Sequence, residues 1–381
     1  MFGSGRRAQA IGRYLLPGLV FQSVIVGGGY GTGREIAEFF MGHGPLGGLL
    51  GMLVAAIAWS VVLAIAFEFA RLTKAYDYRS FFKELLGPFW GLFEVIYLLI
   101  ALLVLAVLGS ASGELLSESL GVPKTIGALI LMSAVGALVY FGSKAVEKAL
   151  AYWSILLYVV YAVFFVWMIS VFGDTIGEHL SSGEVTGAWH LDGLRYAAYN
   201  LNALAAALFV LSHLESRKQA IGAGLLAGVI GIVPGIFVFV SMLAQYPQIA
   251  DAPVPITSLL QALNALWFLA IFQIVLFGTF IETGAGIIHA INERVAGAFN
   301  DAARVFPSWG RLAIALGMMA VAVFLADAIG IIGLIAQGYG MLSYAFIAIL
   351  VIPLLTIGVR RILTQKTPSD SQVLPSNTDK S

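Results

Sequence analysis

The chain has 381 residues, 60% of them hydrophobic and only 11% charged, with a mean hydropathy of +0.92. Soluble domains carry roughly a quarter charged residues and about half apolar ones, so this much apolar surface has no core to hide in and points to an integral membrane protein. Lys and Arg number 21, as do Asp and Glu, and there is no cysteine; the charge balance favours no nucleic acid, and thiol catalysis, disulfides and thiolate metal sites are excluded.

Residues 1–13 are short, polar and glycine-containing, and the apolar run behind them is too long for a cleaved leader; they read as a cytoplasmic N-terminal segment. A helix needs roughly 20 apolar residues to cross the hydrocarbon layer. With Pro, Gly and charge clusters taken as breaks, spans are predicted at about 14–41, 45–72, 88–116, 122–141 and 146–172, then at 191–214, 222–244, 263–295, 311–326 and 329–359. They form one transmembrane domain, 14–363, in an all-α polytopic protein with both termini cytoplasmic. The remainder, 364–381, is rich in Ser, Pro, Asp and Lys and is expected to be a disordered cytoplasmic tail. The positive-inside rule tests the count independently. With the N-terminus inside, eighteen of the 21 Lys and Arg fall on the cytoplasmic side, Lys124 and Arg195 fall outside, and Arg34 lies within the membrane.

Two spans are interrupted by their own residues. The first carries Gly27-Gly28-Gly29-Tyr30-Gly31-Thr32-Gly33 near its centre, five glycines in seven positions, each costing about 1 kcal/mol relative to Ala in a helix. The sixth has Tyr199-Asn200-Leu201-Asn202 inside its apolar run, about 172 residues later. Matching interruptions in the two halves are the sequence signature of inverted repeats, here five spans each, about 14–172 and 190–359. Glycines also make packing faces in membrane helices, but such faces space small residues three or four apart, unlike this near-continuous run. The run is no dinucleotide fingerprint: Thr32 and Arg34 stand where GxGxxG needs glycine, and no strand precedes it.

Breaking a helix inside a bilayer leaves backbone polar groups without partners, and a ligand can complete them. The amides of Gly31, Thr32 and Gly33 at the start of the outer half-helix suit an anionic group such as a carboxylate, and the carbonyls from Ile25 to Gly28 suit a cation. Gly27, Gly28 and Gly29 allow a ligand close to the backbone, and Asn200 and Asn202 add donors and acceptors. These residues form the expected substrate site. Glu282, mid-way through the eighth span and flanked by Thr279 and Thr283, is the expected coupling residue. A carboxylate with two hydroxyls suits Na⁺; a buried carboxyl also suits a proton carrier; a structural role, paired with Arg34 or bonded to backbone and holding helices together, is the third reading. Arg34, Glu35 and Glu38 follow the glycines as gate candidates, with Arg34 and Glu38 spaced to pair along one helix. Glu114 and Asp327 read as solvated near the outer face. The five histidines are scattered, with no HExxH, and no GxSxG elbow occurs; neither an enzyme nor a bound cofactor is expected.

Ten spans, a first helix broken from Gly27 to Gly33 and a sixth broken near Asn200 resemble the LeuT fold of the amino acid–polyamine–organocation superfamily. The stretch from Val24 to Ile36 resembles YkvI-like amino acid permeases, and the likeness runs to about Val359. The resemblance implies a substrate site between the first, third, sixth and eighth spans, at Gly27 to Gly29 and Asn200, and a sodium site near Thr279 and Thr283. The chain departs from that pattern at Glu282, and its Lys144 and Lys148 lie at the cytoplasmic end of the fifth span, short of the position a coupling lysine takes in proton-driven relatives. The expectation is a multi-pass protein of the cell membrane, monomer or homodimer, moving an amino acid or similar small zwitterion with Na⁺ or H⁺. A carrier of another small organic solute and a solute sensor without transport are the alternatives.

Overall fold

A computed structural model describes residues 3–141, 144–301 and 306–364. The expected tail after Thr364, with Lys366 and Lys380, and also Arg304, lie outside the described residues, as do the side chains of Lys144 and Lys148.

Among the described residues the regular structure is entirely helical. Helix α1 (Gly3–Ile25) stops at the glycine run; a single turn, α2 (Gly28–Gly31), follows, and α3 (Arg34–Phe40) resumes. Then come α4 (Gly44–Thr73), the short α5 (Tyr78–Leu86), α6 (Gly91–Leu120), α7 (Lys124–Phe141) and α8 (Lys144–Ser181). The second part of the chain holds α9 (Trp189–Asn200), the one-turn α10 (Leu204–Ala207), α11 (Arg217–Met242), the short α12 (Pro255–Ala262) and α13 (Leu266–Asp301). It ends with α14 (Ser308–Gly333), α15 (Gly340–Phe346) and α16 (Val359–Thr364), with three π-helical stretches between α14 and α16.

Local chemistry sets several ends. Pro45 opens α4, Asp77 accepts the Ser80 amide at the start of α5, and Ser216 with Gln219 forms a reciprocal capping box on α11. Gly330, at φ 74°, bends the chain within α14. Among the described residues six helical stretches are long and apolar enough to cross a membrane: 34–73, 78–120, 156–181, 217–245, 266–297 and 309–364. Exposed Leu53, Ile57 and Val61 recur every fourth residue on the outer face of α4. Such a stripe suits lipid and would be unfavourable in water.

The helices pack as two groups. In the first, α4 lies along α11, α1 packs on α11 and α9 on α4; in the second, α6 packs on α7 and α14, and α13 on α7. The α4–α11 crossing is glycine-dependent. A Cβ on Gly224 would come within 2.3 Å of the Ala64 backbone, and one on Gly228 within 2.4 Å of the Ser60 amide nitrogen. Small residues thus let two helix backbones approach closely where lipid supplies no hydrophobic push.

Candidate functional site

The glycine run interrupts the first helix as its composition predicts. Gly33 adopts φ 80°, a left-handed conformation that only glycine takes without cost, and the chain turns there before α3 begins. Several of the backbone groups named for a ligand, the amides of Gly31 and Gly33 and the carbonyls of Ile25 and Gly27, are bonded within the protein, which corrects the expectation for them. The Gly31 amide donates to Gly27 O at 2.7 Å and the Gly33 amide to Tyr30 O at 2.9 Å. Thr32 Oγ1 donates to Gly29 O and accepts from the Arg34 amide. Tyr161 Oη donates to Gly31 O, and the Ile256 amide of α12 donates to Thr32 O. The carbonyl of Ile25 accepts from the Gly27 amide. An inserted helical turn, the Tyr161 side chain and the Ile256 amide thus complete most of the bonds seen at the break.

The second interruption is milder. After Asn200 the chain tightens from α to 3-10 geometry and returns to α at Leu204, with right-handed helical torsions at Asn200, Leu201, Ala203 and Leu204. Asn200 Nδ2 donates to Tyr196 O and Asn202 Nδ2 to Tyr199 O, so both amides brace their own helix.

Beside the first break lies a cavity of about 430 Å³ between the two helix groups. Gly27, Asn200 and Asn202 line it, together with Thr279, Glu282 and Thr283 from α13 and Ile100, Ala101 and Val104 from α6. The structure therefore brings the predicted coupling residues to the same space as three of the predicted substrate residues. Gly29, Gly31, Thr32 and Gly33 are turned into protein instead: Gly29 against Glu35, Gly31 against Leu276 and Tyr161, Gly33 against Met242 and Pro255, while Thr32 is fully buried. Gly28 opens the turn α2. Thr283 lies next to Gly27, its methyl 3.9 Å from where a Cβ would sit, which places α13 directly on the break. Thr279 Oγ1 donates to Val275 O of its own helix. Glu282 is half-buried on the cavity wall, within electrostatic reach of Tyr158.

The three gate candidates separate. Arg34 Nη2 pairs with Glu38 at 2.7 Å, as their spacing predicts, and Nη1 donates to Ala250 O and Ala252 O at 2.5 and 3.0 Å. Arg34 is thus committed to the segment before α12 and to Glu38, and the pairing of Glu282 with Arg34 is ruled out. Glu35 faces the other way. It lines the cavity, only 4% exposed, and accepts a 2.5 Å hydrogen bond from Tyr199 Oη. A Cβ on Gly29 would sit 2.2 Å from Glu35 Oε1, so the carboxyl occupies space that only glycine leaves.

The cavity has a closed end and an open one. Glu35, Tyr199 and Tyr339 form the closed end, the two rings stacked with centroids 4.6 Å apart. Behind them Phe39, Phe40, Trp59 and Tyr196 pack ring against ring. Away from them the lining includes Glu282 and exposed Ser23 and Val24, in the last turn of α1 before the break. Tyr199, Tyr339, Tyr97 and Tyr158 are cavity residues that spacing did not single out for the site. Tyr199 at least sits beside Asn200; Tyr339 carries no sequence signal, since a π-helical stretch turns it inward. Glu114, expected to be solvated, is buried and held by Lys124 at 2.5 Å, and Asp327 accepts from Thr125. Among the described residues no group of three His, Asp or Glu side chains could hold a metal ion.

No protein-family model matches the chain. YkvI, an uncharacterized membrane protein of Bacillus subtilis strain 168, is 25% identical over 279 residues, covering 72% of this chain and 79% of that protein. With the apolar helices, that likeness identifies a membrane protein. Two crystal structures of a manganese transporter from Eremococcus coleocola align at 12% identity. One, holding an aromatic bis-isothiourea compound, covers 97% of this chain and 91% of its own, with a TM-score of 0.46. The other, a single-residue variant, covers 93% and 88% with a TM-score of 0.45. A likeness at that level says nothing of this chain's substrate.

Proposed function

We propose that this chain is a secondary active transporter that moves an amino acid or similar small zwitterion by alternating access, driven by Na⁺ or H⁺. One observation carries the reading. A broken membrane helix borders a cavity that lies between two helix groups, sealed at one end and open at the other. A carrier caught in one of its two states has this form. The contacts also support ten passes in an inverted 5+5 repeat of one domain, 14–363. The pair α1–α11 has its counterpart in α9–α4, the pair α6–α14 in α13–α7, and α6–α7 in α13–α14. Each pairing recurs when every span is replaced by the one five places along.

In this reading Glu282, with Thr279 and Thr283, takes the coupling ion beside Gly27. Purified protein in liposomes, given imposed Na⁺ or pH gradients, should take up solute saturably. Glu282→Gln should abolish gradient-driven uptake and retain part of the exchange. Unchanged concentrative uptake in that variant removes Glu282 from the mechanism, and saturable binding without flux makes the protein a sensor.

A second reading within transport, a carrier of organic cations, is favoured by the lining. Two carboxylates, Glu35 and Glu282, face the cavity, and among the described residues no Lys, Arg or His does.

A further inference from the structure

The closed end of the cavity is built around one carboxyl and several tyrosines. Tyr199 hydrogen-bonds Glu35 and stacks on Tyr339, and both rings line the cavity. Tyr30, Tyr196 and Tyr339 also lie within electrostatic reach of Glu35. The hydroxyls of Tyr30 and Tyr196 are buried and have no hydrogen-bond partner. Neither residue lines the cavity, so these hydroxyls take no part in the site itself. Acidic oxygen beside aromatic faces is the chemistry that recognises an ammonium group, through charge-assisted hydrogen bonds and cation–π attraction.

Among the described residues the same surroundings offer a carboxylate no Lys, Arg or His partner. The amides of Gly31 and Gly33, where an anion would bind, already donate to Gly27 O and Tyr30 O. Arg34 is turned to Glu38 and to the carbonyls of Ala250 and Ala252. Arg294 lies behind Tyr97, stacked between Tyr78 and Tyr97 at 3.8 and 3.4 Å and paired with Glu94. Arg195, over Phe39 behind the ring pair, is paired with Asp192, so among the described residues no cation lines the closed end beside the Glu35 carboxyl.

We infer that the solute is held by its ammonium group, on Glu35 and the stacked Tyr199–Tyr339 pair, and that a carboxylate on the solute contributes nothing to recognition. The inference rests on the transport reading and narrows its substrate to small amines, with amino acids bound through the same end. Gly29 belongs to the site as the residue that leaves room for the carboxyl.

The test uses sets of three compounds that share one side chain: leucine, isoamylamine and isocaproate, then phenylalanine, phenethylamine and hydrocinnamate. Binding to the purified full-length protein is read by calorimetry, and uptake by liposome flux. Within at least one set the amine should bind as tightly as the amino acid to within about threefold, and the acid should not bind. Glu35→Gln should weaken the amine by about tenfold or more, the scale of a lost hydrogen bond between charged groups. Tyr199→Phe should weaken it severalfold, and Gly29→Ala should mimic Glu35→Gln by displacing the carboxyl. The melting temperature of each variant shows that it is folded; should Glu35→Gln not fold, the other two carry the test. Binding of the amino acid but not the amine overturns the inference, as does binding of the acid, equal amine affinity in the folded variants, or no binding by either amine. Gradient-driven uptake of some other solute would then leave the transport reading standing, whereas amine binding without flux would keep the head-group site and remove transport.

Discussion

The two interruptions sit about 172 residues apart and were expected to match, yet the chain treats them differently. At the first, five glycines let the backbone leave the helix, insert one turn and swing through a left-handed Gly33. At the second, Asn and Ala hold right-handed helical torsions and the helix only tightens, with Asn200 and Asn202 bonded to carbonyls of the preceding turn. Equivalent places in the chain thus need not carry equivalent geometry. A break that reverses backbone handedness favours glycine, because a Cβ penalises that conformation. Polar side chains inside a helix satisfy themselves locally and leave it nearly intact.

Three substitutions sharpen or break this contrast. The largest effect belongs to a glycine of the other kind, one that serves packing. Gly224→Ala would drive a methyl into the Ala64 backbone and should destabilise the protein by about 3 kcal/mol in detergent melts. If it melts like the parent, the tight α4–α11 crossing is not a source of stability. Gly33→Ala should cost about 1–2 kcal/mol from the positive φ alone, and Met242 Cε, 2.5 Å from the new carbon, must also move. An unchanged melt would mean that the first break is no more demanding than the second. Asn202→Ala should cost about 1 kcal/mol for one half-buried hydrogen bond to Tyr199 O. A loss larger than that of Gly33→Ala would reverse the ranking of the two segments.

Much of the fold was legible along the chain because its causes are local. Apolar length marks the helices, the glycine run marks the break, and four-residue spacing predicts the Arg34–Glu38 pair, found at 2.7 Å. Glu282 could be picked out because an acid in the middle of an apolar helix is rare and conspicuous, and it does face the cavity. Glu35, expected as a gate, stands at the closed end of the cavity, bonded to Tyr199. Position alone cannot say whether an acid one residue after Arg34 turns to the seal or to the cavity, and the deciding partner, Tyr199, lies 164 residues away.

Composition and period, read by themselves, establish a helical membrane chain with a flexible break near residue 30 and an isolated acid in its eighth predicted span, since these follow from transfer free energy and backbone sterics at single positions. The partners of the freed backbone groups emerge only on packing: Tyr161 reaches Gly31, Ile256 reaches Thr32, and tyrosines from two distant helices enclose Glu35. Hydrogen bonds and charge recognition act over a few ångströms, and chain segments more than a hundred residues apart come within that range only once the helices are assembled.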